Sequence, residues 1–286
     1  MGDAGIVQSE AGTMDNTDKL EQSLKELREL INDIRARVAN TERKINFIMT
    51  RETPWTDNVV PDTGLQRWGN RTFAQHGDDI IALAILETMG ISKPTYLDVG
   101  AHHPFNISNT ALMYIMGCRG INIEPNPVLF DLFPVQRPQD VNLNFGISDT
   151  KGMMKFFIFN ELSGLNTFDP DRAAFVERSG LAKLIKTIDV EVTTLEDVVI
   201  RHSAGVFPDF FSLDVEGLDY KILETIDFKK HRPAVICVET NSSAEANMIN
   251  DLLVGANYSF VIKSIVNLFY ADSDRYDSKK IRLSYD

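Results

Sequence analysis

From Arg71 onward, short apolar runs that favour strands alternate with stretches that favour helices, and this alternation most limits how the chain can fold. FAQHGDDIIALAILETMG reads as a helix ending at Gly90, TYLDVG as a strand, SNTALMYIMG as a helix stopped by Gly117, and GINIEP as a second strand. PVLFDLF is a short helix, VNLNFGIS a third strand, and MMKFFIF its hairpin partner. IDVEVTTLEDVVIRH gives a strand and then a helix, with Thr193 or Thr194 as the cap. Strand PDFFSLDVEG, helix LDYKILETI, strand RPAVICVET and helix SAEANMINDLLV continue the pattern, and strands YSFVIKSI and NLFYAD close it. Such a chain is expected to form a doubly wound α/β sheet with helices on both faces. The short connection Val266-Asn267 suggests that the last two strands form an antiparallel edge hairpin.

Ligands of such sheets bind beyond the carboxyl ends of the strands, where the strand order reverses. The polar residues expected there are Asp98 after the first strand, Glu124 after the second and Ser148 with Asp149 after the third. Asp214 and Glu216 follow the fourth, and Glu239 the fifth. Any one of these acids has a plain reading as a helix cap or dipole partner. The ordered set points to a ligand. A nicotinamide cofactor needs Gly-x-Gly-x-x-Gly to seat its pyrophosphate on a helix N-terminus. Only Gly100 is present before Gly117, so no such cradle is evident. A ligand with a ribose and an amino acid tail but no phosphates suits an acidic rim better. Glu124 can accept from both ribose hydroxyls, and Asp98 can face a positive amino group. S-adenosylmethionine carries a sulfonium and an ammonium, so acids around it are electrostatically sensible.

YLDVGAHHPFNISNT, GINIEPNP, FSLDVEGLDYKIL and RPAVICVET, taken in order, resemble the FkbM-type S-adenosylmethionine-dependent methyltransferases. FAQHGDDI resembles that family's Ser-Gln-x-Gly-Glu-Asp motif, and the resemblance spans roughly residues 72 to 270. It implies a Rossmann-like seven-stranded methyltransferase sheet and O-methylation of a hydroxyl on a sugar, a glycan or a glycan precursor. It also implies site residues. Asp98, Gly100 and Ala101 would line the methionine end of the cofactor, with Ser108 and Asn109 as carboxylate partners. Glu124, within Glu124-Pro125-Asn126, would hold the ribose, and Ser148 and Asp149 would lie near adenine. Gln75 and His102 would face the cofactor tail, and Asp214 and Glu216 the transferred methyl. The chain departs from the family at His102-His103-Pro104, which replaces a glycine-containing loop, and at Ser212, where a lysine is usual. Ala74 and Asp219 also stand in place of a common Ser and Glu.

An alcohol acceptor must lose a proton as its oxygen attacks the methyl. Two schemes fit the acids. Asp214, or a histidine such as His102, acts as general base. Alternatively Asp214 and Glu239, at the ends of adjacent strands with Asn241 behind, hold Mg²⁺ and lower the hydroxyl pKa. The segment NELSGLNTFDPDRAAFVERSGLAKLIK, residues 160 to 186, is an insertion expected over the cofactor mouth, where it would select substrate. A competing reading is a non-catalytic cofactor-binding or assembly module that recruits a partner.

That reading draws on the other end of the chain. Residues 1–16 are small, polar and acidic, and read as a disordered tail. In residues 17–50, Leu20, Leu24, Leu27, Ile31, Ile34, Val38, Thr41, Ile45 and Ile48 are spaced alternately 4 and 3 residues apart. This unbroken heptad seam predicts a coiled-coil helix that makes a homo-oligomer, either dimer or trimer. Residues 51–70, with two prolines and two tryptophans, read as a linker to the catalytic domain at 71–286. A formal net charge of -12 disfavours nucleic acid as the main partner. Cys118 and Cys237 lie in or beside apolar runs and read as buried free thiols. MGDAGIVQSE lacks the marks of a signal peptide and no apolar run is long enough for a membrane span, so a cytoplasmic protein is expected.

Overall fold

The computed structural model describes residues 72–277, together with two exposed helical positions, Lys25 and Arg28. The chain divides into Met1–Val59 and Val60–Asp286, and the fold below is that of the second unit. The tail, the heptad seam from Leu20 to Ile48 and the linker lie outside the described residues.

Helix α1 (Asp78–Thr88) leads into strand β1 (Tyr96–Val99), then helix α2 (Ala111–Ile115) and β2 (Gly120–Ile123). Two short helices, α3 (Pro127–Phe130) and α4 (Phe133–Gln136), precede β3 (Val141–Leu143). After an excursion described below come α6 (Leu195–His202), β7 (Phe210–Leu213), α7 (Asp219–Glu224), β8 (Val235–Glu239) and α8 (Ser243–Gly255). Strands β9 (Tyr258–Lys263) and β10 (Asn267–Asp272) end the domain. The seven-stranded sheet runs β3-β2-β1-β7-β8-β10-β9. Its pairs are parallel from β3 to β8, and β10 is antiparallel to both β8 and β9. This is the doubly wound Rossmann-like sheet with an antiparallel edge hairpin that the alternation implied. Local signals end its helices: the Thr194 hydroxyl accepts from Asp197 N to cap α6, and Gly90 takes the left-handed conformation beyond α1.

Alternate residues of each strand face opposite sides. Leu97, Val99, Ile121, Ile123, Phe211, Leu213, Ile236 and Val238 enter the larger core. Tyr96, Phe210, Val235, Cys237 and Phe269 face the other side, where Ala82, Ile85 and Leu86 of α1 cover them. The strand register aligns Asp98 with Asn122 and Ser212, and Ser212 with Cys237, so a polar row crosses the middle of this second face. The strand order reverses between β1 and β7, which puts a crevice at their carboxyl ends.

Two expectations need correction. VNLNFGIS is not one strand: Leu143 ends β3 beside Ile123, whereas Gly146 and Ile147 form β4 beside Val192 and Thr193. The bend falls at Asn144, whose side-chain amide donates back to the Glu124 and Pro125 carbonyls. MMKFFIF is not a hairpin partner of that strand either. It lies in β5 (Gly152–Ile158), which pairs antiparallel along its whole length with β6 (Lys186–Thr193), the two joined across helix α5 (Pro170–Arg178). The reason is packing: Phe156 and Ile158 share a buried cluster with Val190 and Val192. Strands β4, β6 and β5 make a separate three-stranded sheet.

A polar network under α2 holds β1, β2 and the approach to β3 together. Arg137 is wholly buried and paired with Asp140 at 2.8 Å. Its guanidinium also donates to Tyr96 Oη at 2.9 Å and to Thr110 Oγ1 at 3.1 Å. Asp140 accepts in addition from Tyr96 Oη, Gly120 N and Asn122 Nδ2.

Candidate active site

Gly100 sets the geometry at the tip of β1. It has φ +79°, and a Cβ there would lie 1.7 Å from the Asp214 carbonyl oxygen. Only glycine lets the two strand ends come this close. The N–H groups of Gly100 and Ala101 both donate to Ile123 O at 3.0 Å, which ties the loop to β2.

Glu124 stands at the tip of β2, buried. One carboxylate oxygen accepts from His102 N at 2.8 Å and the other from Asn126 N at 2.7 Å. Burial pushes this carboxyl up from an ordinary 4.5 to about 8, against the pull of those two N–H groups. Each oxygen keeps a lone pair for a further donor. Asn126 also caps α3, accepting from Val128 N, and donates to Glu161 O of the insertion at 2.8 Å. Pro125 is half-buried between them.

Asp98 is buried one layer below and accepts from Thr110 Oγ1 at 2.7 Å. Burial raises it above the usual carboxylate range, while Thr110 and Arg137 pull it down. Asn109 Nδ2 donates to Ser212 Oγ at 3.1 Å, so the residue in place of the family's lysine is tied to the loop after β1. Ser108 faces the interior, where its hydroxyl accepts from Ala111 N.

Three acids meet at the ends of β7 and β8. Carboxylate oxygens of Asp214, Glu216 and Glu239 lie within 4.8 Å of one another. Burial pushes Asp214 well above its usual range, and the charges of Glu239, Glu216 and Asp219 push the same way. Burial likewise raises Glu216 to about 7 and raises Glu239. One Glu239 oxygen is buried without a partner. Glu216 sits in the left-handed region at φ +55° and pairs with Arg172 at 3.0 Å. Its carbonyl accepts from Thr167 Oγ1 at 2.7 Å. Asp219 accepts from Val215 N and Gly217 N at 3.1 Å and so shapes this loop.

His102 also has a left-handed backbone, at φ +55°. Its ring nitrogens face the carbonyls of Asn106 at 3.4 Å and Leu162 at 3.3 Å. Burial lowers its pKa against the pull of those two carbonyls, and a neutral ring can donate to only one of them, which leaves the other nitrogen its lone pair. Gln75 is exposed just before α1. Ser148 and Asp149 bond to each other at 3.0 Å and follow β4 of the smaller sheet rather than β3.

The structure thus gathers His102, Glu124 and Asn126 in one group, Asp98, Asn109 and Ser212 in a second, and Asp214, Glu216 and Glu239 in a third. Contacts from Glu161, Leu162, Thr167 and Arg172 bring the insertion onto the first and third groups. Sequence reasoning did not single out Arg172 or Thr110. Arg172 carried no signal beyond its place in the insertion. Thr110 was visible only as the third residue of Ser-Asn-Thr.

The acid-lined face, the Gly100 cradle and the spare lone pairs of Glu124 fit a cationic cofactor with a ribose. Among the described residues no helix is long and apolar enough to cross a membrane. No curated protein matches the chain. Among solved structures, precorrin-6y C5,15-methyltransferase from Geobacter metallireducens GS-15 is similar at 12% identity. That match covers 76% of this chain and 97% of the other with a TM-score of 0.36, a likeness too slight to bear weight. The methyltransferase FkbM domain matches residues 98–260, more than half of the chain. That span runs from Asp98 to the start of the edge hairpin and takes in all three acidic groups, and the chain belongs to the FkbM methyltransferase family.

Proposed function

We propose that the protein is an S-adenosylmethionine-dependent O-methyltransferase acting on a hydroxyl of a sugar, glycan or glycan precursor. The observation that carries this reading is the Asp214–Glu216–Glu239 group, three acids facing one point at the ends of adjacent parallel strands. When bound, the cofactor supplies a methyl group on a sulfonium, open to in-line attack. Glu124 accepts from the ribose hydroxyls, and Asp98 lies beneath the methionine end. The insertion, held by Asn126, His102 and Glu216, shields the crevice from water.

Asp214 takes the acceptor proton. Its carboxyl is held well above the usual range by burial and by neighbouring acids, which strengthens it as a base once it is ionised. Glu239, hydrogen-bonded to Asp214, can share that proton. Arg172 pulls both Glu216 and Glu239 down. The alternative scheme uses the same oxygens as hard ligands for Mg²⁺. The heptad seam read in residues 17–50 would assemble such enzymes into a dimer or trimer.

Calorimetry on the full chain should detect S-adenosylhomocysteine and no NAD. Methyl transfer to a panel of nucleotide sugars and oligosaccharides should then identify an acceptor. On that acceptor Asp214→Asn should lower turnover by about 10²–10⁴. Loss of activity with EDTA and recovery with Mg²⁺ would select the metal scheme, and indifference the base. Near-normal turnover of Asp214→Asn refutes both. Cofactor binding with no transfer to any acceptor would favour an assembly module.

A further inference from the structure

Among the described residues, Asp78 is the one buried acid with both carboxyl oxygens unpartnered. It lies in the first turn of α1 and is wholly buried, and neither carboxyl oxygen has a hydrogen-bond partner. Its neighbour Asp79 is equally buried but fully used: it accepts from Thr72 Oγ1 at 2.6 Å, Phe73 N at 2.7 Å and Ile80 N at 2.9 Å. Asp79 therefore accounts for the turn into the helix, and Asp78 does not. A buried carboxyl without partners costs several kcal/mol unless something binds it.

The position of Asp78 indicates what that is. Helix α1 packs on the face of the sheet that carries Cys237, in register with Ser212 and Asp98. Burial raises the Cys237 thiol well above its usual range, and the acids that add to this are Asp78, then Asp98, Asp214 and Glu239. Asp78 thus shares its surroundings with the acids of the crevice. It stands apart from the carboxylate group that could hold a metal, which among the described residues is Asp214, Glu216 and Glu239. A ligand for Asp78 must bring N–H or O–H donors into buried surroundings already rich in negative charge. A sulfonium has no donor. An ammonium has three and a positive charge.

We propose that Asp78, at the start of α1, binds the α-ammonium of the cofactor's methionine tail. This rests on the S-adenosylmethionine reading above and adds a residue and a role to it. Side-chain recognition of the tail makes Asp78 a selector between cofactors with and without an amino acid moiety.

The test compares S-adenosylhomocysteine with 5′-methylthioadenosine, which keeps the nucleoside and lacks the ammonium. Calorimetry on full-length wild type, Asp78→Asn and Asp78→Ala gives the affinities, and thermal melting without ligand gives the stabilities. Both variants should bind S-adenosylhomocysteine at least about 10-fold more weakly, the loss of a charged hydrogen bond. Methylthioadenosine should bind all three proteins alike. Without ligand the variants should melt at or above the wild-type temperature, because an unpartnered acid has been removed. Equal effects on the two compounds, or none on either, overturn the proposal. So does a marked fall in melting temperature in both variants, which would assign Asp78 a structural partner. Wild type that binds neither compound refutes the cofactor reading itself, and the ammonium site with it.

Discussion

Cofactor affinity should rise steeply with pH, because Glu124 must be ionised to accept two ribose hydroxyls. In the free protein burial holds this carboxyl at about 8. It is then about 1% ionised at pH 6 and about three-quarters ionised at pH 8.5. If only the ionised form binds, affinity for S-adenosylhomocysteine rises by up to roughly 75-fold across that range, or ~2.5 kcal/mol. At pH 7 the complex should release about 0.9 proton, read by calorimetry in buffers of different ionisation enthalpy. Glu124→Gln should flatten the profile and abolish the release. Stability of the free protein should run the other way. The folded value of Glu124 lies above the ordinary 4.5, so its contribution to stability is complete below about 4.5 and is lost as pH rises through about 8. Asp98 and Asp214 are raised as well and add in the same direction. The melting temperature should therefore fall across the range in which cofactor binding tightens. A flat affinity from pH 6 to 8.5, with no proton released, would refute the assignment of Glu124 to the ribose.

Replacing Arg137 by Met should destabilise the domain by about 3–5 kcal/mol, because Asp140 is left buried without its cation. The melting temperature should drop by roughly 6–20 °C, and an unchanged melt would mean the network contributes nothing. Deleting residues 1–50 should give a smaller species by light scattering that still binds S-adenosylhomocysteine. If the full and shortened chains are both monomers, the heptad seam does not drive assembly.

The main sheet was legible because each of its strands carries its own local signal. TYLDVG, GINIEP and FFSLDVEG each end in an acid or a glycine where the crevice lies, so Asp98, Glu124 and Asp214 could be named before any contact was known. The smaller sheet was not legible, because its pairing is decided far along the chain. Nothing in VNLNFGIS marks Asn144 as the point where the backbone leaves one sheet for another. Phe156 finds Ile188 across an intervening helix, and periodicity carries no record of that partner. The Arg137–Asp140 pair was hidden for a related reason. Beside Pro138 these charges resemble a solvated turn, and only the packing of Tyr96 and Thr110 around them makes them interior. Asp78 and Asp79 look interchangeable in sequence and differ only in which of them the preceding loop reaches.

The fastening of the insertion bears on how this enzyme could acquire a new acceptor. Thr167 and Arg172, five positions apart, hold the Glu216 carbonyl and carboxylate. The segment proposed to select the acceptor therefore also carries the counter-charge of a site acid. Grafting a homologous segment to redirect specificity would strip Glu216 of that cation unless the donor supplied a basic residue at the same turn of its helix. Under the proposed base scheme, an uncompensated Glu216 would compete for the proton meant for Asp214, and the chimera would lose rate before it gained a substrate. An exchange of this segment that kept Thr167 and Arg172 would keep both fastenings of Glu216.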